Sequence, residues 1–185
     1  MKTRQHGFTM IELIVVIVIL GILAAVALPR FTNIQRDARI AKLNAARGAV
    51  QAASAMIHGT VLVRGGAADA AACPTNLGPA PNIANNTSNV CTESGRVAIV
   101  NGYPAASLPG IIDAAGLTSI FPATVAALTG EGYSTTGGGA AANSVLTIRV
   151  NGGTNPANCS FTYSPSSGGA VGSAAVIGAG VTTGC

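Results

Sequence analysis

Charged residues are scarce in this chain of 185 residues. Asp, Glu, Lys and Arg make up 9% of it, against about 25% in an average soluble protein. Seven of the ten basic residues precede position 48, so most of the chain lacks the basic stripe that nucleic-acid binding requires. We therefore expect no nucleic acid among its partners.

Aromatic residues and histidines are also few. The chain has no Trp, three Tyr, four Phe and two His, whereas 34 residues are Ala and 24 are Gly. It contains no GxSxG or HExxH motif and no cluster of carboxylates, so it lacks the usual groups of nucleophilic, metal-assisted and acid-base catalysis. The sequence predicts no enzymatic activity, no metal site and no cofactor.

Closely spaced cysteine pairs are absent. The four cysteines are widely separated and include no CxxC motif, which argues against a zinc site. An even number of such cysteines is typical of an exported, oxidised domain. Four cysteines allow three pairings, and spacing alone does not choose among them: Cys73, Cys91, Cys159 and Cys185.

One long apolar run is present near the start of the chain. Residues 8–28 contain only two polar side chains, Thr9 and Glu12. As a helix rising about 1.5 Å per residue, this run spans roughly 32 Å, enough to cross the hydrocarbon core of a bilayer. The run predicts a membrane segment.

A secretory signal peptide is the competing interpretation of this run. Lys2 and Arg4 supply a basic start, and Ala25-Val26-Ala27 weakly matches a small-residue cleavage site. The run is longer than the usual apolar region of a signal peptide, and Pro29 follows it. These two features favour the membrane segment.

Glu12 is the most informative single residue. A carboxylate deep in a bilayer costs on the order of 2.5 kcal/mol or more, so it is kept only where a partner or a function offsets that cost. The simpler alternative is that Glu12, one turn from Phe8, reaches the lipid headgroups.

After Pro29 the pattern predicts an amphipathic helix over residues 30–58, continuous with the apolar run and able to bend or unwind at Gly21 and Pro29. We expect it to pack on its own domain through one apolar row, widened by a second, and to be capped by Gly59. The first row is Ile34, Ala38, Ala41, Ala45, Ala49, Ala52 and Met56, and the second is Ile40, Leu43, Val50 and Ile57.

Beyond the helix, Gly, Ala, Pro, Asn, Thr and Ser dominate residues 64–94, which predicts a loop. Apolar patterning then predicts four strands, and a Pro-Gly start predicts one short helix. The glycine tract 137–139 predicts a flexible turn. The strands are 96–103, 144–150, 160–163 and, more weakly, 170–177, and the helix is 108–117.

The segment Gly7-Phe8-Thr9-Met10-Ile11-Glu12-Leu13, with its basic leader and following apolar run, resembles the processing site of type IV pilins and related pseudopilins. The resemblance implies that a prepilin peptidase cuts between Gly7 and Phe8 and methylates the new amine of Phe8. It also implies that Glu12 meets the Phe8 amine of a neighbouring subunit, so that two groups disfavoured in an apolar core neutralise each other.

The resemblance implies an α+β pilin fold, in which a long N-terminal helix packs on a small antiparallel sheet. Its parts are a cleaved leader, 1–7; a transmembrane and filament-core helix, 8–29; an amphipathic helix, 30–58; and a globular head, 59–185. We predict two disulfides by sequential pairing, Cys73 with Cys91 and Cys159 with Cys185. The second resembles the C-terminal disulfide-bounded region of type IVa pilins.

Segments of the head resemble the mannose-sensitive haemagglutinin pilins. They are Asn101-Gly102-Tyr103-Pro104-Ala105-Ala106 and Asn158-Cys159-Ser160-Phe161-Thr162-Tyr163, with the helix start from Pro29 to Ala38. This resemblance implies a major-type pilus subunit used in surface attachment and motility. The alternatives are a pseudopilin of a type II secretion system, and a minor pilin or adhesin.

The expected partners are further copies of this chain in a helical filament, the prepilin peptidase, the assembly machinery of the inner membrane, and the membrane itself before assembly. Basic residues flank both ends of the apolar run, so charge alone does not orient it. The resemblance implies a single-pass inner-membrane protein with a cytoplasmic N-terminus, and an extracellular pilus after assembly.

Overall fold

The computed structural model describes residues 8–63, 89–92, 95–168 and 173–185, without the side chains of 28, 29 and 32. The chain divides into two compact units, one ending at Ala38 and the other comprising Arg39–Cys185. In the first unit, the described residues from position 10 onward are all helical. The second unit holds the rest of that helix and two antiparallel sheets, so the predicted α+β class is confirmed.

Helix α1 runs from Met10 to Val63. Its helical assignment continues through Gly21 and Pro29, so neither residue unwinds it. The predicted end at His58, with Gly59 as a cap, is wrong. A glycine inside a helix costs about 1 kcal/mol, but burial of Val61 beyond Gly59 offsets that cost.

The last turns of α1 are anchored by contacts of one histidine. The ring of His58 stacks on that of Tyr103, with ring centroids 4.0 Å apart. Its Nδ1 lies 3.1 Å from the carbonyl oxygen of Gly102 and must donate, because a carbonyl only accepts. Gly102 and Tyr103, which lie about forty positions beyond the end of α1, therefore hold its C-terminal turns in place.

The buried face of α1 differs from the predicted one. Ala41, Ala45 and Met56, members of the row expected to pack, are exposed. The buried apolar side chains belong to the second row, apart from the half-buried Ile40, and to its neighbours: Leu43, Ala46, Val50, Ala53, Ile57 and Val61. Burying a Leu, Ile or Val contributes about 1.5–3 kcal/mol, more than alanine can, so the larger side chains decide which face packs.

The first sheet has three antiparallel strands in the order β1-β2-β3. They are β1, Asn89–Cys91; β2, Arg96–Val100; and β3, Tyr103–Pro104. The single strand predicted over 96–103 is thus a hairpin. Asn101 and Gly102 both have positive φ, 51° and 79°, which matches the two-residue turn that Asn-Gly favours.

The second sheet has four antiparallel strands in the order β4-β5-β6-β7. They are β4, Tyr133–Gly137; β5, Leu146–Val150; β6, Ser160–Ser164; and β7, Val176–Ile177. Strands β5 and β6 lie in predicted regions, and β7 is shorter than predicted. Strands β1 and β4 were not predicted, because neither has apolar alternation, and two sheets replace the single small sheet expected.

Short helical segments connect the strands. The helix predicted over 108–117 is present but shorter and irregular: residues Leu108–Ile112 form a π-type helical turn in which Gly110 is non-helical, with φ −110° and ψ −105°, and helical residues end at 114. A Cβ at Gly110 would lie 2.2 Å from the backbone oxygen of Ala105, so this close approach bends the chain. Helix α2, Val125–Gly130, was not predicted, and its N-cap is Thr124, whose side chain accepts from the Ala127 amide.

Two buried clusters form the core of the second unit. The larger joins Leu43 and Val50 of α1 to β5, β6 and the π-type turn. The smaller joins Ile57 and Val61 of α1 to Val90, Val97 and Ile99 of the first sheet. One helix therefore contributes to both clusters. A buried hydrogen bond of 2.7 Å from the Tyr163 hydroxyl to the Pro104 carbonyl ties β6 to β3.

The glycine tract 137–139 is a close backbone contact and not the predicted turn, since Gly137 belongs to β4, Gly139 pairs with Ala106, and the turn residues lie farther on, at 142–143. The amide of Gly139 donates to the carbonyl of Ala106, which lies beyond β3. Gly138 has φ +85°, and a Cβ there would lie 2.3 Å from the Ala106 oxygen. Only glycine satisfies both the positive φ and this separation.

Gly138→Ala should therefore lower the free energy of unfolding by about 1–3 kcal/mol, because the backbone must shift and residues with a Cβ are strained at positive φ. Gly130→Ala is the matched control, since a Cβ at Gly130 meets nothing within 4 Å. Thermal unfolding of the full chain in detergent measures both. Equal stability of the two variants would contradict the role assigned to Gly138.

Candidate functional site

The first turn of α1 contains a capping box. Thr9 immediately precedes the helix, and its amide and hydroxyl donate to Glu12 Oε2 over 2.9 and 2.7 Å. In return, the Glu12 amide donates to the Thr9 hydroxyl over 3.3 Å. A Thr-x-x-Glu spacing at a helix start satisfies two amides that have no helical acceptor. The capping role of Glu12 was not predicted, although the Thr-x-x-Glu spacing is a local signal for it.

Phe8 and Glu12 are both exposed, and 84% of Phe8 is accessible. Both hydrogen bonds to the carboxylate end on Oε2, and among the described residues Oε1 has no partner, so it is open to another donor. Gly7 lies outside the described residues. The proposed amine partner does not exist in the uncut chain, because the nitrogen of Phe8 is then in a peptide bond, so a free amine requires cleavage at Gly7.

Thr9 and Glu12 begin an uncovered apolar helix. The segment Met10–Ala27 has a mean hydropathy of 3.0, and none of it is buried. By length and composition it is able to cross a membrane, a test that a signal sequence near an N-terminus also passes. Contiguous apolar surface of this extent marks a site of contact with lipid or protein.

Three cations farther along α1 are bound to carbonyl oxygens of the second unit. Arg39 Nε donates to Cys185 and Lys42 Nζ donates to Glu131. Arg47 Nε donates to Gly178 over 2.9 Å. Two of these three carbonyls lie in the C-terminal segment, so the helix holds that segment through charge-assisted hydrogen bonds. Sequence periodicity carries no signal for such partners.

The same C-terminal segment is closed by a disulfide. Cys159 and Cys185 are bonded, with Cα atoms 4.8 Å apart, as sequential pairing predicts. Cys91 is also disulfide-bonded. Cys73, its predicted partner, lies outside the described residues, so that pairing stays a prediction.

Asp113 is the partly buried carboxylate of the second unit. Burial raises its pKa, whereas a 2.7 Å hydrogen bond from the Ala123 amide to Oδ1 lowers it. Its Oδ2 is buried and has no hydrogen-bond partner among the described residues. Across the residues that the structure describes, no three His, Cys, Asp or Glu side chains group to hold a metal ion.

Comparison with known proteins bears on the N-terminal segment. The family described as the prokaryotic N-terminal methylation motif matches residues 2–28, which include Phe8 and Glu12. The chain is 49% identical over 53 residues to the major component of the narrow type IV pilus of Thermus thermophilus. It is 40% identical over 53 residues to the type IV major fimbrial protein of Dichelobacter nodosus, and 52% identical over 42 residues to the type IV major pilin of Neisseria gonorrhoeae.

The N-terminal segment of this chain is therefore similar to that of type IV pilins and contains the methylation motif. The matches cover 29%, 29% and 23% of this chain and 46%, 34% and 26% of the respective relatives. The chain thus spans less than half the length of each relative, and no solved structure matches it significantly. The comparisons therefore bear on the N-terminal segment alone, and they leave the family and subtype of the whole chain to other arguments.

Thr9→Val should weaken the start of α1 without changing the apolar run. Losing an N-cap hydroxyl costs about 1 kcal/mol, so amides in the first turn should exchange hydrogen roughly fivefold faster. Hydrogen exchange of the full chain in detergent micelles measures this. Thr60→Val, which removes a hydroxyl bonded to the Met56 carbonyl, should leave that turn unchanged; unchanged exchange in the Thr9 variant as well would contradict the capping role.

The double variant Cys159→Ser, Cys185→Ser should lose roughly 3 kcal/mol of unfolding free energy, because the bond closes a loop across 26 positions. Chemical denaturation of the full chain in detergent gives the loss, and non-reducing peptide mapping checks the bond itself. A map that joins Cys159 to Cys73, or an unchanged unfolding midpoint, would contradict this assignment.

Proposed function

We propose that this chain is a structural subunit, of the major type, of a type IV pilus. The observation that carries the proposal is an N-terminal methylation motif on a helix whose first half is apolar and uncovered and whose second half is packed in a folded head. Such a helix needs lipid or other copies of itself to cover its first half. The related major pilins support the same reading.

In this proposal a prepilin peptidase cuts between Gly7 and Phe8 and methylates the Phe8 amine. The match of residues 2–28 to the methylation motif supports both steps. Cleavage removes Lys2 and Arg4 and creates the positive charge that Glu12 lacks in the uncut chain. The subunit waits in the inner membrane with its N-terminus in the cytoplasm, and the assembly machinery moves it into an extracellular filament.

Glu12 then serves two partners at once. Its Oε2 caps the helix through Thr9, and its Oε1 receives the Phe8 amine of a neighbouring copy. Because amine and carboxylate are both disfavoured in an apolar fibre core, their pairing favours one axial register over others. The exposure of Glu12 supports access by a second copy.

The pilus would serve surface attachment and motility, as in the mannose-sensitive haemagglutinin pilins that segments 101–106 and 158–163 resemble. Residues 103–104 form β3, and 160–163 lie in β6. These strands meet through the Tyr163–Pro104 hydrogen bond, so the two similar segments are neighbours in the fold. Because segments 101–106 and 158–163 are close in the fold, we treat them as one region of resemblance to those pilins.

Shearing cells and imaging the released material tests the proposal. Long fibres composed mainly of this polypeptide are expected. Loss of a secreted protein on deletion, with no fibres in wild-type cells, would instead indicate a type II secretion pseudopilin. Fibres that contain this chain only as a trace component would indicate a minor pilin or adhesin.

Glu12→Gln separates charge from capping, because glutamine also completes a capping box. We expect cleaved, membrane-inserted subunit and at least about tenfold fewer fibres, since the amine loses its counter-charge. Glu12→Asp, which keeps the charge on a shorter side chain, should retain more fibres. Normal fibre yield from the glutamine variant would show that capping alone explains Glu12.

A further inference from the structure

A group of charged side chains follows the apolar span without partners. Arg30, Arg36 and Asp37 are exposed, and none makes a hydrogen bond or ion pair with the described part of the chain. The next three cations along the helix are all bound to carbonyl oxygens. The unit that ends at Ala38 therefore presents charged side chains that no described residue of the chain neutralises.

Two of these charges are opposite in sign and share one helix face. Arg30, Asn33, Ile34 and Asp37 line a common groove, as their spacing of three, four and seven positions requires. Arg30 and Asp37 are two turns apart, about 10.5 Å along the axis. This helix face thus has a positive end at Arg30 and a negative end at Asp37. The side chains of Asn33 and Ile34 lie between them.

We propose that Arg30 of one copy pairs with Asp37 of a second copy of this chain. The inference rests on the proposed function, since it assigns a second contact to the same fibre. A second copy fits because it presents the same face with the same two charges. Parallel copies displaced along their axes bring the positive end of one beside the negative end of the other.

The axial displacement that brings Arg30 toward Asp37 of the next copy has the same direction as the one required by the proposed pairing of the Phe8 amine with Glu12. If the Phe8 amine of one copy lies beside Glu12 of the next, the copies are shifted by four positions, about 6 Å along the helix. That shift places Arg30 beside position 34 of the next copy. The remaining distance to Asp37 is three positions, about 4.5 Å, which a long arginine side chain covers. The opposite shift would move Arg30 away from that Asp37.

Charge reversal tests the pair. Arg30→Glu and Asp37→Lys should each reduce sheared fibre at least about fivefold relative to processed subunit in the membrane, because each places like charges together. Combining the two should restore fibre to within about twofold of wild type, as interacting sites are non-additive. Arg36→Glu is the matched control, since its cation is equally exposed on another face of the same helix, and it should leave fibre yield unchanged.

The outcomes distinguish this inference from the proposed function. Wild-type fibres together with normal yields from both reversals would overturn the pair and leave the pilus role intact. Loss of fibre from Arg30→Glu alone, without rescue by Asp37→Lys, would also overturn it and would indicate a different partner such as a lipid phosphate. Absence of wild-type fibres would overturn both.

Crosslinking gives a second readout that does not depend on yield. Arg30→Cys combined with Asp37→Cys should produce covalent ladders in oxidised fibres. Positions about 10.5 Å apart on one helix cannot bond within a chain, because disulfides require Cα atoms within about 7 Å. Each single cysteine variant should give no ladder, and absence of a ladder from the double variant in fibres would contradict the pair.

Discussion

The constraint on which this protein depends is the uncovered apolar half of α1. None of the segment Met10–Ala27 is buried, and each large apolar side chain left in water forgoes about 1.5–3 kcal/mol. Beyond Arg39 the same helix meets this requirement within the chain by packing Leu43 and Val50 against the four-stranded sheet. The first half has no such cover in the described chain, so a membrane and then a fibre supply it in the proposed function.

The head shows how a domain with few large side chains holds together. Its core is built from few residues, and close backbone approaches at Gly110 and Gly138 replace some of the missing bulk. The carbonyls of the C-terminal segment accept from Arg39 and Arg47, and the disulfide closes the same segment. The scarcity of aromatics and the abundance of glycine therefore belong to one packing solution, in which backbone contacts take a larger share.

Some charged side chains of α1 bind groups of their own chain, and others are left for contacts with a neighbouring molecule. Three of these side chains already donate to carbonyl oxygens of the second unit, which makes them less available to a neighbouring molecule. They are Arg39, Lys42 and Arg47. Glu12 is intermediate, since one carboxylate oxygen caps the helix. Arg30 and Asp37 make no hydrogen bond or ion pair with the described residues, and we propose them as a contact between copies of the chain.

Features that depend on local sequence were predictable. The apolar run, the long helix and strands β5 and β6 follow from periodicity or spacing, and the processing motif was indicated by a family resemblance. The capping box and the Asn101-Gly102 turn also have local sequence signals, the Thr-x-x-Glu spacing and the Asn-Gly pair, although neither was predicted.

The sequence by itself determined that a long helix begins as a membrane-type segment and that a small disulfide-bonded α+β head follows. Only the tertiary structure decided which apolar row is buried, how far α1 extends, that the strands form two sheets, and which carbonyls bind Arg39 and Arg47. The reason is physical. Helix and strand patterns arise from neighbours within a few positions, whereas the choice among competing faces and partners depends on groups as far apart as Arg39 and Cys185, which the fold alone brings together.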